Sequence, residues 1–270
     1  MNLELGTISA QEFVDDILSG HRSFFYKNLK GADLTACENY EELKKYTERL
    51  SFFGFKNDPI LLDNSNLSKI NAPGLKLPYI QGKKANFSGA NLEGSEFPCS
   101  DFEGSDFQGA NLKKGCFHQT NFSKSNLSKS ILSGAMIEEA RFVDSNLSNS
   151  VIMAALACGA RFNGANLQGT DFRRTDLRSA YFIQSNLSKA NLSEATIQSA
   201  DFYMADLREA KLTEASAFEA SFFQADMRKI KDLNTVSSLD TAHFFETIAN
   251  KKEKSIIEAQ LKKTVRFIVK

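Results

Sequence analysis

Apolar side chains recur at every fifth residue through the middle of this chain. The stretch KANFSGANLEGSEF places Phe87, Leu92 and Phe97 at this spacing, and the phase continues without insertion to Met227. We call these 29 positions centres, and 27 of them hold a large apolar residue. The residue two positions before each centre is always Ala, Ser, Thr or Gly. The pattern therefore marks two inward positions in every five.

A period of five fits neither a regular helix nor a flat strand. On an α-helix the centres would spread around the cylinder, and on a strand an odd period would send successive centres to opposite faces. The pattern is consistent only if the chain turns a corner every five residues. A centre and the small residue two before it then point inward as alternate residues of one short strand, and the other three residues face outward.

The phenylalanines indicate how many corners close one coil. Every fourth centre from residue 102 onward is Phe, so like residues recur after four five-residue units, and we expect four sides per coil. Neighbouring coils should lie about 4.8 Å apart, as adjacent strands do. The seven stacked positions are Phe102, Phe122, Phe142, Phe162, Phe182, Phe202 and Phe222.

The units ANFSG, ANLEG, ANLQG, ANLSE and ADLRE match the motif A-(D/N)-L-x-x, so the chain resembles the pentapeptide repeat family. The resemblance is strict from residue 85 to about 229, and weaker repeats extend it back to about 62. It implies an all-β solenoid, a right-handed quadrilateral parallel β-helix. We expect helical caps at both ends, because a solenoid has open edges that must be covered.

The ends depart from the repeat and predict the domain organisation. Ser9 with Glu12, and Asn250 with Glu253, are typical of capping boxes at helix N-termini. Between residues 37 and 59 the apolar spacing becomes helical, which predicts an insertion that is either an extended cap or a protruding recognition element. The expected parts are a capping helix (1–23), a first partial coil (24–36), a helical insertion (37–61), the β-helix (62–229) and a C-terminal helical cap and tail (230–270).

Candidate chemistry is sparse. The three histidines and four cysteines show no metal-ligand or nucleophile spacing, and no glycine-rich phosphate loop is present. We therefore expect no enzyme activity, no cofactor and no metal. The 33 basic and 33 acidic residues balance, which gives no general reason to expect nucleic acid as a partner. No secretory signal or membrane-length apolar run is evident, so we expect a cytoplasmic protein with no membrane partner.

Some proteins of the resembled family mimic DNA and bind DNA gyrase, which requires a strongly negative surface. Residues 85–227 hold 17 acidic and 12 basic side chains, and the following tail holds 5 acidic and 10 basic. Five arginines between residues 141 and 178 interrupt any acidic stripe. A gyrase-binding mimic is therefore an alternative function, as is an effector or developmental regulator that binds a host or cellular protein.

The stretch VIMAALAC (151–158) is apolar where the repeat should place polar residues outside. In the five-residue phase these outward side chains, with those of the coil before, form an apolar patch rimmed by Arg and Glu, a composition typical of protein interfaces. The alternative is a local bulge that turns Leu156 inward in place of the small Ala157. The predicted partner-binding residues are Ile131, Met136, Val151, Met153, Leu156, Arg173, Arg174 and Arg178.

A second departure lies nearer the C-terminus. Ile183, Tyr203 and Phe223 recur at every fourth unit, each directly after a Phe centre, and should face outward. They are expected either to lie under the C-terminal cap or to form a dimer or partner surface. Together these features predict a non-enzymatic scaffold or regulator that binds another protein, as a monomer or as a homodimer through its C-terminal end.

Overall fold

The body of the molecule is a parallel β-helix with four faces per coil. The computed structural model describes residues 5–49, 52–261 and 267–269. Single parallel bridges join the residue before each centre to the equivalent residue four units later, for example Val151 with Asp171 and Leu156 with Asp176. One coil therefore consists of four five-residue units, as the phenylalanine spacing predicts, and each unit forms one face.

A tight turn makes each corner. In the unit that contains Ile152, the N–H of Ala155 donates to the Ile152 carbonyl at 3.2 Å. Ala154, at the third position of this turn, has a φ of 56°. A left-handed residue at that position is typical of a type II turn, which glycine adopts without strain. The same position holds Gly159, with a φ of 67°, at the next corner.

Phenylalanine rings stack through the interior and fill one side of it. Phe162 lies between Phe142 and Phe182, with 5.0 Å between ring centroids on each side and nearly parallel planes. All three rings are fully buried. Close packing of this kind gains dispersion energy over the whole ring face. The stack continues to Phe244, one coil beyond Phe222.

Inward hydroxyl groups other than that of Ser150 bond to backbone carbonyls, which allows small polar residues to face the core. Thr120 donates to the Phe97 carbonyl at 2.7 Å, and Thr175 donates to the Ile152 carbonyl at 2.9 Å. A buried hydroxyl without such a partner would destabilise the fold. These bonds cross from one coil to the next and so reinforce the stacking.

Asparagine side chains form a ladder along one outer face. The Asn166 amide donates to the Asn146 side-chain oxygen at 3.3 Å, and the Asn186 amide donates to that of Asn166 at 3.4 Å. The Asn186 oxygen also accepts from the N–H of Ser188 at 3.0 Å. The polar residue before each centre on this face therefore has a structural role.

The N-terminal segment packs on the first coil. Strand β1 (Gly6–Thr7) pairs in parallel with strand β2 (Lys27–Asn28), and helix α1 (Ala10–Leu18) follows β1. Ser9 and Glu12 form both hydrogen bonds of a capping box. Phe13, Val14 and Ile17 of α1 are buried, and the Phe13 ring meets the Phe24 ring edge-on at 4.7 Å.

An insertion interrupts the first coil. Positions 23, 28 and 33 pair with positions 61, 66 and 71, so the first coil is nearly twice as long as a regular one. The extra length holds a 3-10 turn (Leu34–Ala36), helix α2 (Tyr40–Arg49) and helix α3 (Phe52–Asn57). The Tyr40 hydroxyl donates to the Pro73 carbonyl at 2.8 Å, which fixes α2 to the following coil.

The β-helix extends about one coil beyond the C-terminal boundary of 229 that the sequence predicts. Two 3-10 turns (Leu233–Thr235 and Leu239–Thr241) replace regular corners, and Asp226 pairs with Ile248, two positions later than a regular coil would place its partner. The added residues break the five-residue phase, so the last coil does not show the strict sequence repeat. Strand β3 (Thr247–Ala249), helix α4 (Lys251–Leu261) and strand β4 (Phe267–Val269) then follow, with β4 parallel to β3.

No helix in the described ranges is both long and apolar enough to cross a membrane.

Candidate protein-interaction surface

Five of the predicted partner-binding residues lie together across one corner of the β-helix. Ile131 pairs with Val151 on one face, and Met136 pairs with Leu156 on the next face. Met153 lies on the turn between these faces and is half-buried. We call these five side chains the corner patch.

Leu156 points out of the coil. Its side chain is 46% exposed, and Ala157 beside it is fully buried. The backbone stays regular: the Leu156 N–H donates to the Ala135 carbonyl at 2.9 Å, and its carbonyl accepts from Ile137 at 2.7 Å. The alternative of a local bulge is therefore wrong. Met136, one coil below, is 40% exposed and extends the patch.

The coil above closes the patch with ion pairs. Asp171 lies over Val151 and Asp176 lies over Leu156 in their ladders. Arg173 binds Asp171 through two nitrogens, and Arg178 binds Asp176 in the same way; the shortest N–O distance is 2.6 Å in each pair. The Arg178 hydrogen bond lowers the pKa of Asp176 below its usual range.

Arg174, the third predicted rim arginine, binds Glu194 of the following coil with an N–O distance of 2.8 Å. All three predicted rim arginines therefore have carboxylate partners within the chain. Their charges form the polar border of the corner patch, and their guanidinium groups are already committed to intramolecular pairs.

The second predicted surface is a stack of aromatic side chains on another corner. The rings of Tyr203 and Phe223 lie 5.3 Å apart, and Phe245 continues the stack at 5.3 Å from Phe223. Ile183 lies one coil before Tyr203 and is half-buried. Phe245 is not recognisable from the strict repeat, because the broken phase moves it away from the position four units after Phe223. The repeated pair Phe244–Phe245 after Phe222–Phe223 was the available signal.

Helix α4 packs against the two 3-10 turns at 233–241. Phe245, at the end of the aromatic stack, is 46% exposed. The function of this stack as a cap contact or a dimer surface stays a prediction.

A further group of residues escaped the sequence analysis. Arg141, Arg161 and Tyr181 follow one another in one ladder, on the face after Leu156. They line a groove of about 420 Å³ together with residues of the adjacent corner, including Glu139 and Gly159. We call it the arginine groove. The ladder residues stand one coil apart, so an analysis that grouped outward positions by column could have found them.

The described residues include no group of three or more His, Cys, Asp or Glu side chains placed to hold a metal ion. The cysteines in this part of the chain are free thiols, and burial raises the pKa of Cys37, Cys99 and Cys116. A raised pKa leaves less of the reactive thiolate at neutral pH.

A four-sided coil with small and large apolar residues alternating inside defines a solenoid built of five-residue units. The family model described as pentapeptide repeats matches 8 copies in this chain, over residues 85–123, 117–149, 155–178 and 175–213. These matches confirm the resemblance to pentapeptide repeat proteins over the central part of the chain.

Among solved structures, pentapeptide repeat proteins are similar to this chain. HetL, a pentapeptide repeat protein involved in heterocyst differentiation regulation from the cyanobacterium Nostoc sp. strain PCC 7120, is 20% identical with a TM-score of 0.50. That match covers 90% of this chain and 97% of HetL. A trypsin-treated form of QnrB1, a plasmid-mediated fluoroquinolone resistance protein, is 21% identical over 77% of this chain and 98% of its own, with a TM-score of 0.29. No curated protein sequence matches this chain.

Proposed function

We propose that this protein is a non-enzymatic scaffold or regulator that binds another protein through the corner patch. The observation that carries the proposal is the outward position of Leu156 above Met136, which exposes two large apolar side chains to solvent. The outward positions of the repeat accept polar side chains equally well. Outward positions elsewhere in the repeat are mainly polar, as in the asparagine ladder. Solvent exposure alone gives no reason to place Leu and Met there.

The composition of the patch suits a protein partner. Its apolar centre is bordered by the pairs Arg173–Asp171 and Arg178–Asp176, an arrangement common at interfaces. Burying a Leu or Met side chain contributes about 1.5–3 kcal/mol. The exposed parts of Met136 and Leu156 therefore offer a useful fraction of a binding energy. The rigid coil also presents them with little loss of entropy on binding.

We infer that the terminal helices cap the two ends of the solenoid, which supports this role. Helix α1 buries Phe13 and Ile17 on the first coil, and helix α4 buries Ile257 and Leu261 at the other end. Covered ends prevent edge-to-edge pairing of coils and leave the sides as the surface for partners. We include the insertion in the N-terminal cap, because Tyr40 and Leu43 of α2 are buried.

Affinity capture that compares the wild type with a variant carrying charges in the corner patch tests the proposal. Tagged wild-type protein and the Met136→Asp, Val151→Asp double variant would capture proteins from an extract of the source organism, with quantitative mass spectrometry as the readout. A partner retained by the wild type should be lost from the variant. Gln108→Asp with Gln168→Asp is the matched control, since both glutamines are exposed on another face.

Circular dichroism would verify that both double variants fold like the wild type. Equal capture by the wild type and the patch variant would remove the corner patch as the binding surface.

The arginine pairs argue against the alternative of a DNA mimic. Four outward carboxylates that could imitate phosphates are bound by neighbouring guanidinium groups within the chain, namely Asp171, Asp176, Asp206 and Asp226. Each pair cancels a negative charge on the surface, so a continuous acidic stripe does not form along these columns.

A further inference from the structure

We propose that the arginine groove binds carboxylates of an acidic peptide segment from a protein partner. The groove lies beside the corner patch, on the far side of the corner at Gly159. The proposal depends on the groove's own geometry, and it stands or falls separately from the role of the corner patch.

Arg141 and Arg161 differ from the other arginines whose side chains the structure describes. Six of those arginines form an ion pair with a carboxylate, namely Arg22, Arg173, Arg174, Arg178, Arg208 and Arg228. In the described parts of the chain, Arg141 and Arg161 have no such partner. Both are exposed. Their charges are therefore available to a ligand.

The two arginines also stand next to each other. Arg141 and Arg161 pair in the same ladder, so their backbones are about 4.8 Å apart, one strand spacing. The Arg161 guanidinium lies over the Tyr181 ring at 5.8 Å from its centroid, which restrains that side chain. Two neighbouring cations repel each other, and an anion bound between them removes that repulsion. The two adjacent positive charges therefore favour the binding of an anion.

The residues that line the groove favour carboxylates over phosphate. The cations form a row along the coil stack, which suits successive acidic side chains of one segment. Glu139 also lines the groove and is held there by Gln119, whose amide donates to it at 2.9 Å. A phosphate monoester with nearly two negative charges would be repelled by Glu139 more strongly than a single carboxylate.

The corner patch gives the groove an apolar neighbour. Leu156 precedes Gly159 by three positions, and Arg161 follows Gly159 by two, so one face passes directly into the other. An acidic segment that lies along the two arginines would have the apolar side chains of the corner patch beside it. The expected partner chemistry is therefore an acidic segment that also carries apolar residues.

Nuclear magnetic resonance of the arginine side chains tests the proposal directly. Full-length protein labelled with ¹⁵N would be titrated with acetylated hexaglutamate at low salt, and the Nε–Hε signals of the arginines recorded. We expect saturable shifts at Arg141 and Arg161. The Arg141→Gln, Arg161→Gln double variant should bind at least about tenfold more weakly, because charge-assisted hydrogen bonds are lost.

Arg174→Gln is the matched control, since Arg174 is exposed but already paired with Glu194. This variant should bind hexaglutamate as the wild type does. Hexaglutamine of the same length should give no saturable shift.

Three results would overturn the proposal: no saturable shift with hexaglutamate, equal weakening by Arg174→Gln, or tighter binding of a phosphoserine peptide than of hexaglutamate. The Met136→Asp, Val151→Asp variant should still bind hexaglutamate, so failure of the corner patch and failure of the arginine groove give different results.

Discussion

Leu156 stands directly over Met136 in a parallel ladder, and both side chains face solvent while their chain neighbours Ala157 and Ile137 are buried. Inside and outside alternate along each short face, so a shift of one residue exchanges core for surface. The apolar run at 151–158 therefore supplies the interior and the corner patch at once.

The first prediction compares the two neighbours. Leu156→Asp should change the free energy of unfolding by no more than about 0.5 kcal/mol, because the side chain is exposed. Ala157→Asp should lower it by about 3–5 kcal/mol, because the carboxylate would be buried without a partner. Urea unfolding followed by circular dichroism measures both. Similar losses for the two variants would contradict the outward position of Leu156.

The second prediction concerns the phenylalanine stack. Phe162→Ala should destabilise the protein by about 3–5 kcal/mol, since it removes a fully buried ring between Phe142 and Phe182. Gln168→Ala, on the surface of the adjacent face, should have little effect. Thermal unfolding would show the difference, and an unchanged midpoint for Phe162→Ala would argue against the continuous stack.

The third prediction concerns a tight contact inside the coil. A Cβ on Gly115 would lie 2.5 Å from the Phe117 ring and 2.9 Å from the Ser95 carbonyl oxygen. Gly115→Ala should therefore destabilise the fold by about 1–3 kcal/mol through overpacking. In a Phe117→Leu background, Gly115→Ala should cost less, because the smaller side chain relieves the ring contact. Stability is again measured in urea; an additive loss in the double variant would point to a different cause.

The fourth prediction concerns pH. The Arg178 hydrogen bond lowers the pKa of folded Asp176 from its ordinary value of 3.8, so this pair stabilises the protein above that value. The stabilisation is lost as the pH falls from about 3.8 through the lowered pKa. Arg178→Gln should return the Asp176 pKa toward 3.8, which a carboxyl ¹³C titration measures.

Unfolding experiments supply the control for this pair. The stability difference between wild type and Arg178→Gln should be constant near neutral pH and shrink below pH 3.8. A difference that persisted unchanged at lower pH would exclude ion pairing with Asp176 as its source.

The fifth prediction separates the two proposed classes of function. Micromolar protein should leave DNA supercoiling by gyrase unchanged, because arginines neutralise Asp171, Asp176, Asp206 and Asp226 on the surface. A supercoiling assay on relaxed plasmid provides the measurement. Dose-dependent inhibition would instead support the DNA-mimic alternative.

The sequence predicted the coil well because its signal is local and repeated. Each centre must be apolar, each residue two before it must be small, and the phenylalanine columns reveal that four units make one coil. A local signal also explains why the predicted C-terminal boundary at 229 falls one coil short. Extra residues around the 3-10 turns at 233–241 break the five-residue phase, although the backbone continues to pair from Asp226 to Ile248.

The order of amino acids was enough to establish which residues face inward, since burial follows directly from the five-residue period. It left Leu156 open because a bulge and a regular coil share the same pattern of residue types. The folded chain was needed to show that Leu156 faces solvent, that Arg173 and Arg178 are paired, and that Arg141 and Arg161 have no carboxylate partner among the described residues. Those outcomes depend on which side chains contact one another across coils and around corners. A sequence repeat determines where the backbone lies, but it does not determine which partners the outward side chains have.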